Sequence, residues 1–580
     1  MLVYGDDERV VEAGEVVCDL IARLQTLKDH STGISRHAAL VAAFIEAGEL
    51  MQAVADAEFA ICERDEISPA QDTGARLLAL LAEMLIRSRD SGFAAAPMLP
   101  RECLSLLNQF ARTGPVRLRS PEGYAFYALY PEAYIEAARR SGLGSDTVVI
   151  GIRSIGTGLA ALVAAALGAR PAITLRPIGH PYQRRVAIGE QLEARLVEDK
   201  TAAFAIVDEG PGLSGSSFGA TLDWLEAHGI ARERCHVFPS HTGDPGPQAS
   251  AGHRASWAQV QRHVVTFEDL LLRPSKPQQR LESWVETVTG PLTGPLEEIS
   301  GGAWRAKHYA NKRDWPPADP MRERRKFLAR TRNGAWLVKF AGLGAQGERK
   351  LALNCQIAAA GYTPQAAGLV HGFLIEPWIE GHPLDIADFD RGRVLARLAG
   401  YLGLRARLPA SGSGASLRDL FVMAVQNTRE ALGEEAALQL EGALGDPARL
   451  QPTLRPVVSD NRLHLWEWLV TPNGRLIKTD ALDHCSAHDL VGCQDIAWDV
   501  AGAGVEFDLS EHERARLVEA LARTAGRHVD AELLRVLEPC YLAFQIGLWT
   551  FAGAAATDAD ESGRVARQLQ RYRERLQQLI

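Results

Sequence analysis

The chain has 580 residues, 46% hydrophobic and 23% charged, ordinary values for a soluble globular protein of roughly two to four domains. A net charge of −9 argues against a nucleic-acid scaffold, and the basic run Arg322–Lys326 reads as a solvated face. The eight cysteines are scattered, the acidic N-terminus lacks an apolar signal core, and no uncharged apolar run is long enough to cross a membrane, Leu159–Leu167 being too short; a reduced, cytoplasmic protein is expected, with the Ala/Gly/Arg usage of a GC-rich bacterial gene. In chain order, residues 1–115 read as a helical N-terminal region, with apolar positions at helical spacing in VVCDLIARLQTL, HAALVAAFIEAGELMQAV and ARLLALLAEMLIRS. It is a candidate cap over a ligand site or a dimerisation element of a homo-oligomer, and carries no chemistry of its own.

Residues 116–290 alternate strands with helices, which implies a mainly parallel sheet in an α/β domain. The aromatic stretch Tyr124–Tyr134 reads as a core edge, with a stacking wall for an acceptor as the alternative. Val148–Gly168 is a strand, a tight polar loop holding Arg153, Ser154 and Gly156, and an Ala/Leu-rich helix. Arg176–Glu193 follows with His180, Tyr182, Arg184 and Arg185. In Ala205–Ile230 an apolar strand ends in Asp208 and Glu209, and the loop Ser214-Gly215-Ser216-Ser217 opens into a helix. Loop amides and the helix dipole would cradle an anion beside a carboxylate pair that can hold sugar hydroxyls, directly or through Mg²⁺.

This order resembles the ribose-phosphate motif of the type I phosphoribosyltransferases, with a spacer, Gly210–Leu213, about one residue longer than usual. The resemblance implies a site for phosphoribosyl pyrophosphate (PRPP) and Mg²⁺. Asp208 and Glu209 would be catalytic. Arg153, Ser154 and Gly156 would bind pyrophosphate, Arg184 and Arg185 would belong to a basic hood, and Ser214, Gly215, Ser216 and Ser217 would hold the ribose phosphate. Departure of pyrophosphate from the ribose would need charge stabilisation by such donors and no covalent nucleophile.

Breakers at Pro291 and Pro295 mark a linker, and the pattern then changes. Arg325–Phe340 reads as two strands about an Asn-Gly turn, with Lys339 near the end of the second; a helical run begins at Glu348, and Phe373–Leu384 is a strand leading into a corner. Further on, Asp460 follows an apolar strand, and Trp466–Val470 and Arg475–Thr479 form a hairpin that returns the chain to Asp480, bringing the two aspartates to one end. Residues 300–580 thus resemble a bilobal kinase-like fold of the aminoglycoside phosphotransferase type. The resemblance implies that Lys339 contacts ATP phosphates and pairs with Glu348, that Asp460 takes or orients the acceptor hydroxyl, that Asp480 binds Mg²⁺, and that Asp499 is structural. Leu465 and Ser459 stand where the family has a metal-binding Asn and a His; Glu467 is the substitute metal ligand. His484, Cys485, His488 and Cys493 lack a zinc-finger spacing, and His484 and His488 read as lying beside the metal-binding Asp and shaping the acceptor site.

The expectation is a bifunctional enzyme: PRPP-dependent phosphoribosyl transfer in one half, ATP-dependent phosphorylation of a small-molecule hydroxyl in the other, with no nucleic-acid or membrane partner. The alternatives are a PRPP- and nucleotide-binding regulatory protein with a pseudokinase half, and an interaction scaffold.

Overall fold

The computed structural model describes every residue except 6, 7, 31, 32, 96–98, 200, 321, 386–389 and 411. Strand Glu8–Glu12 pairs antiparallel with Pro115–Arg119, so the two ends of the helical region meet in one ribbon. Between them run the helices Ala13–Thr26, Ile34–Cys62, Pro69–Asp90 and Arg101–Asn108. Pro69 occupies the first turn of its helix, and the Ser68 side chain caps the free amides of Ala70 and Gln71. Ile34–Cys62, which carries charged residues, is by length and composition apolar enough to cross a membrane, but 83% of its most apolar stretch is buried inside the protein. It packs against Pro69–Asp90 and against the helix Gly156–Leu167 of the next region.

The following region holds a five-stranded sheet in the spatial order Ile173–Leu175, Val148–Ile152, Phe204–Val207, Cys235–Phe238, Gln261–Arg262, all parallel. Its central strands are almost wholly apolar because both faces are covered. The order reverses between Val148–Ile152 and Phe204–Val207, and the loops after these two strands are those with Arg153 and with Asp208. Open α/β sheets bind ligands at such a reversal.

The last half has two lobes. In the small lobe an antiparallel sheet runs Glu297–Glu298, Lys326–Thr331, Gly334–Phe340, Phe373–Pro377, Gly368–Val370, with the helix Ala345–Ala359 against it. The large lobe is helical, built on Arg391–Arg405, Leu417–Leu432, Ile496–Glu506, Glu511–Ala525, Ala531–Ala555 and Ala559–Leu579. Between the lobes lies the hairpin Trp468–Val470 with Leu476–Lys478.

The hydrophobic core does not respect the linker. One continuous cluster joins Leu20, Phe44 and Leu81 of the helices, Leu162 of the parallel-sheet region, and Phe327, Phe340 and Phe373 of the small lobe. The small lobe is seated on the first half of the chain as well as on its own large lobe.

Candidate active site

A cavity of about 230 Å³ lies between the two lobes. Lys339 reaches it from the small-lobe strand Gly334–Phe340, and Leu337, two residues earlier, lies on the same face of that strand. Glu467, Asp480, Asp483 and His484 line it from the hairpin and the loop beyond. The hairpin forms because Pro472-Asn473-Gly474 supplies the turn between two apolar strands, which sets Glu467 before one strand and Asp480 after the other. Asp460 and Asp480 are thereby brought close, with His484 between them: its Nδ1 is 3.3 Å from Asp460 Oδ1 and its Nε2 is 3.6 Å from Asp480 Oδ2.

Lys339 Nζ is 2.7 Å from Asp480 and 2.5 Å from Asp483. Burial works against its charge, but the two carboxylates outweigh burial and hold it above the ordinary lysine value. Burial likewise opposes the charge on His484, but Glu467, Asp480 and Asp460 raise it to about 9. Burial, helped by Asp483 and Asp480, lifts the Glu376 carboxyl to about 7 on the strand beside Lys339. The cleft thus holds a lysine and a protonated imidazole among several carboxylates, a charge set that suits a polyphosphate with its cation. Glu467 and Asp480 offer hard oxygen donors of the kind Mg²⁺ takes.

The expected pairing of Lys339 with Glu348 is corrected. Glu348 points away from the cleft and takes a two-pronged salt bridge from Arg23 of the N-terminal helices, at 2.8 and 2.9 Å. The helix Ala345–Ala359 instead sends Lys350 inward, buried, to Asp483 at 2.5 Å. Residues two apart on a helix face different sides, so only one of this pair can serve the cleft. Lys350 and Asp483 were missed in the sequence; Asp483, three residues beyond Asp480, was the available signal.

The direct role expected of Asp460 is also corrected. It is 1% exposed. It accepts a hydrogen bond from the Tyr401 hydroxyl, with Arg405 at 3.4 Å and Lys478 at 3.6 Å. Burial alone would raise its carboxyl, but Lys478, His484 and Arg405 hold it well below the usual range. Its contact with the cleft runs through His484. Asp499 accepts from the backbone amides of Asp460 and Asn461, at 2.7 and 2.8 Å, and fixes this loop from below.

The first half completes the cleft wall. Tyr4 and Tyr127 line the cavity beside His488, with the Tyr127 hydroxyl 3.3 Å from His488 Nδ1. The short helix Glu122–Phe126 is anchored to the small lobe, its Tyr124 and Phe126 carbonyls accepting from Leu343 and Arg324. Tyr127 therefore belongs to this cleft, whereas Tyr124, Tyr130 and Tyr134 are buried in the core. Arg322 and Arg462 converge on Asp489 at the same wall.

The PRPP-binding expectations meet a different geometry. Arg153 is buried and spent on Asp56 and Asp65. Ser154 borders a crevice of only about 10 Å³. Gly156 serves packing, since a Cβ there would lie 2.6 Å from the Val207 carbonyl oxygen. The hydroxyls of Ser214 and Ser216 both donate to the Pro181 carbonyl, at 3.1 and 2.7 Å, so the hairpin Ile178–Arg185 is latched onto the loop. The Gly215 amide bonds Pro211, and the Ser216 amide bonds the Ser214 hydroxyl. Ser217 uses its carbonyl within the helix, Arg184 donates to Pro177, and Arg185 is exposed. Glu209 accepts from the Gly123 amide at 3.0 Å, and burial lifts Asp208 to about 7 and Glu209 to about 8. The Arg153 guanidinium and the Ser214 and Ser216 hydroxyls, expected to hold a phosphorylated sugar, are engaged within the protein itself.

No family model and no curated protein sequence matches the chain. Among the solved structures similar to it are choline kinase LicA from Streptococcus pneumoniae, 16% identical over 43% of this chain and 89% of that one with a TM-score of 0.29. A spectinomycin phosphotransferase, APH(9)-Ia, is 13% identical over 52% of this chain and 94% of its own, with a TM-score of 0.34. A macrolide 2'-phosphotransferase type I is 14% identical over 50% and 95%, with a TM-score of 0.32.

Proposed function

We propose that the C-terminal half binds Mg²⁺·ATP between its lobes and transfers the γ-phosphate to a hydroxyl of a small molecule. The observation that carries this is the convergence of Lys339 from the small lobe with Asp480, Asp483 and Glu467 from the interlobe hairpin in one cavity. The apolar side chains of Leu337 and Leu469 suit the two faces of a nucleotide base, and Lys339 suits its phosphates. Mg²⁺ would be held by Asp480 and Glu467, and its charge would offset that gathering on the transferred phosphate. Phosphoryl transfer needs positioning and charge more than a strong base, so a buried Asp460 acting through His484 is compatible with it. His484, charged at neutral pH, would hold the acceptor oxygen side of the site in place while Asp460 holds His484. The acceptor would lie against Tyr127, Tyr4 and His488, which makes the first half a contributor to specificity.

The enclosure of Asp460 favours a second reading, a nucleotide-binding regulatory protein that performs no transfer. Incubation with Mg²⁺ and ATP labelled in the γ-phosphate, against pools of amino alcohols, sugars and nucleosides, separates the two. Label appearing in an acceptor, and lost in Asp480→Asn, is the expected result. Binding of ATP with no label moved to any pool supports the regulatory reading instead.

A further inference from the structure

Away from the cleft, three side chains from distant parts of the chain meet in the shared core. His37 comes from the helix Ile34–Cys62, Glu132 from the first turn of the helix Pro131–Arg140, and His371 from the turn between the small-lobe strands Gly368–Val370 and Phe373–Pro377. His37 Nε2 is 2.8 Å and His371 Nε2 is 2.7 Å from the same oxygen, Glu132 Oε1. The three side chains are 0%, 1% and 4% exposed for His37, His371 and Glu132. The donor atoms all lie within 4.8 Å of one another.

Hydrogen bonding alone leaves this cluster incomplete. Both imidazoles address one carboxylate oxygen, while Glu132 Oε2 is buried with no hydrogen-bond partner among the described residues. An ionised carboxylate in a site walled by Phe93, Tyr130 and Trp284 calls for a cation close to both oxygens. The far nitrogen of His37, Nδ1, is held by the Ser88 hydroxyl at 2.9 Å, which turns Nε2 toward Glu132. A partner of this kind on the second nitrogen is what orients metal-bound histidines.

We propose that His37, Glu132 and His371 bind a divalent transition-metal ion, zinc(II) by ligand type, which fastens the small lobe to the N-terminal helices. Two imidazoles and a carboxylate are a zinc donor set, and Glu132 can complete four donors by offering both oxygens. With bonds of about 2.0–2.1 Å, donors from different residues lie about 3.3 Å apart, so the ring-to-oxygen distances open by about half an ångström to admit the ion. The site is too enclosed to fill from the surface, so the ion enters as the chain folds.

The test uses the full chain, purified without chelator and analysed for metals, then refolded with Co²⁺ as a spectroscopic probe. The expected result is one zinc per chain and visible cobalt absorption of a tetrahedral site. His371→Asn keeps the turn, because Asn tolerates the positive φ of 41° at this position, and it removes a ligand. It should abolish the cobalt bands, and Ser88→Ala should weaken binding about 10–100-fold. Glu467→Gln, altering the carboxylate and histidine group of the cleft, should leave the bands intact. Metal-free protein that also refolds without taking up cobalt overturns the proposal. So do bands that survive in His371→Asn, or vanish only in Glu467→Gln. Should His371→Asn fail to fold, the metal content of the wild type and the Ser88→Ala titration still decide.

Discussion

Glu348 and Lys350 show how a separation of two residues on a helix assigns opposite tasks. Glu348, about half exposed and bonded to Arg23, is a surface pair; Glu348→Gln should cost about 0.5–1 kcal/mol in denaturant melts and leave ATP affinity unchanged. Lys350 is buried against Asp483, which Lys339 also holds, so its removal breaks a buried charged hydrogen bond without leaving Asp483 unpaired; Lys350→Met should cost about 1.5–3 kcal/mol. Equal, small effects of both changes would contradict the placement of this helix. His484 carries a pH signature. Its pKa is raised in the fold from its ordinary 6.5 to about 9, so its stabilising contribution is complete below the lower value and is lost as pH rises through the upper one. The melting temperature should therefore fall over that interval in the wild type and more gently in His484→Gln. Asp208 has the same slope for the opposite reason: burial lifts it to about 7, so ionisation costs stability from the ordinary carboxylate range upward. Asp208→Asn should raise stability at pH 8 by about 1–3 kcal/mol, after allowance for its partial exposure, and leave ATP binding intact. A destabilised Asp208→Asn would show that the carboxylate is bound, not merely buried.

At the scale of elements, the hairpins were legible because their turns are local. The hairpins Lys326–Thr331 with Gly334–Phe340, and Trp468–Val470 with Leu476–Lys478, form where expected, but the first turn sits one residue earlier than the expected Asn-Gly, at Arg332-Asn333, with Gly334 opening the second strand. The two strands that end in polar loops were legible for the same reason; the reversal of strand order between them was not. What fills those loops was not. Whether Ser214 and Ser216 face a ligand or the Pro181 carbonyl depends on how the Ile178–Arg185 hairpin folds back, and that is a tertiary outcome. The partner of Lys339 was equally hidden, since Asp480 lies 141 residues away and Glu348 only nine. Nor does the sequence around Asp460 announce Tyr401 and Arg405, which seal it from the helix Arg391–Arg405.

For the molecule as a whole, the continuous core from Phe44 through Leu162 to Phe340 and Phe373 makes the halves interdependent. Phe373→Ala should cost about 3–5 kcal/mol and lower the single melting transition of the entire chain. Chains cut within Thr289–Leu296 should lack independent cooperative melts, because each exposes an apolar face that the other covers; two separate sharp transitions would contradict this packing. The same packing places Tyr127 and Tyr4 at the interlobe cavity, so in the proposed reaction nucleotide and acceptor would be read by different parts of the chain. Lys339 and Asp480 are proposed to form the Mg²⁺·ATP site between the lobes. Titration calorimetry of Mg²⁺·ATP into the wild type and Asp480→Asn tests it most directly. The account predicts saturable binding of one nucleotide per chain, weakened at least about 10-fold in the variant. Equal affinity in both proteins, or no binding to the wild type, would contradict it.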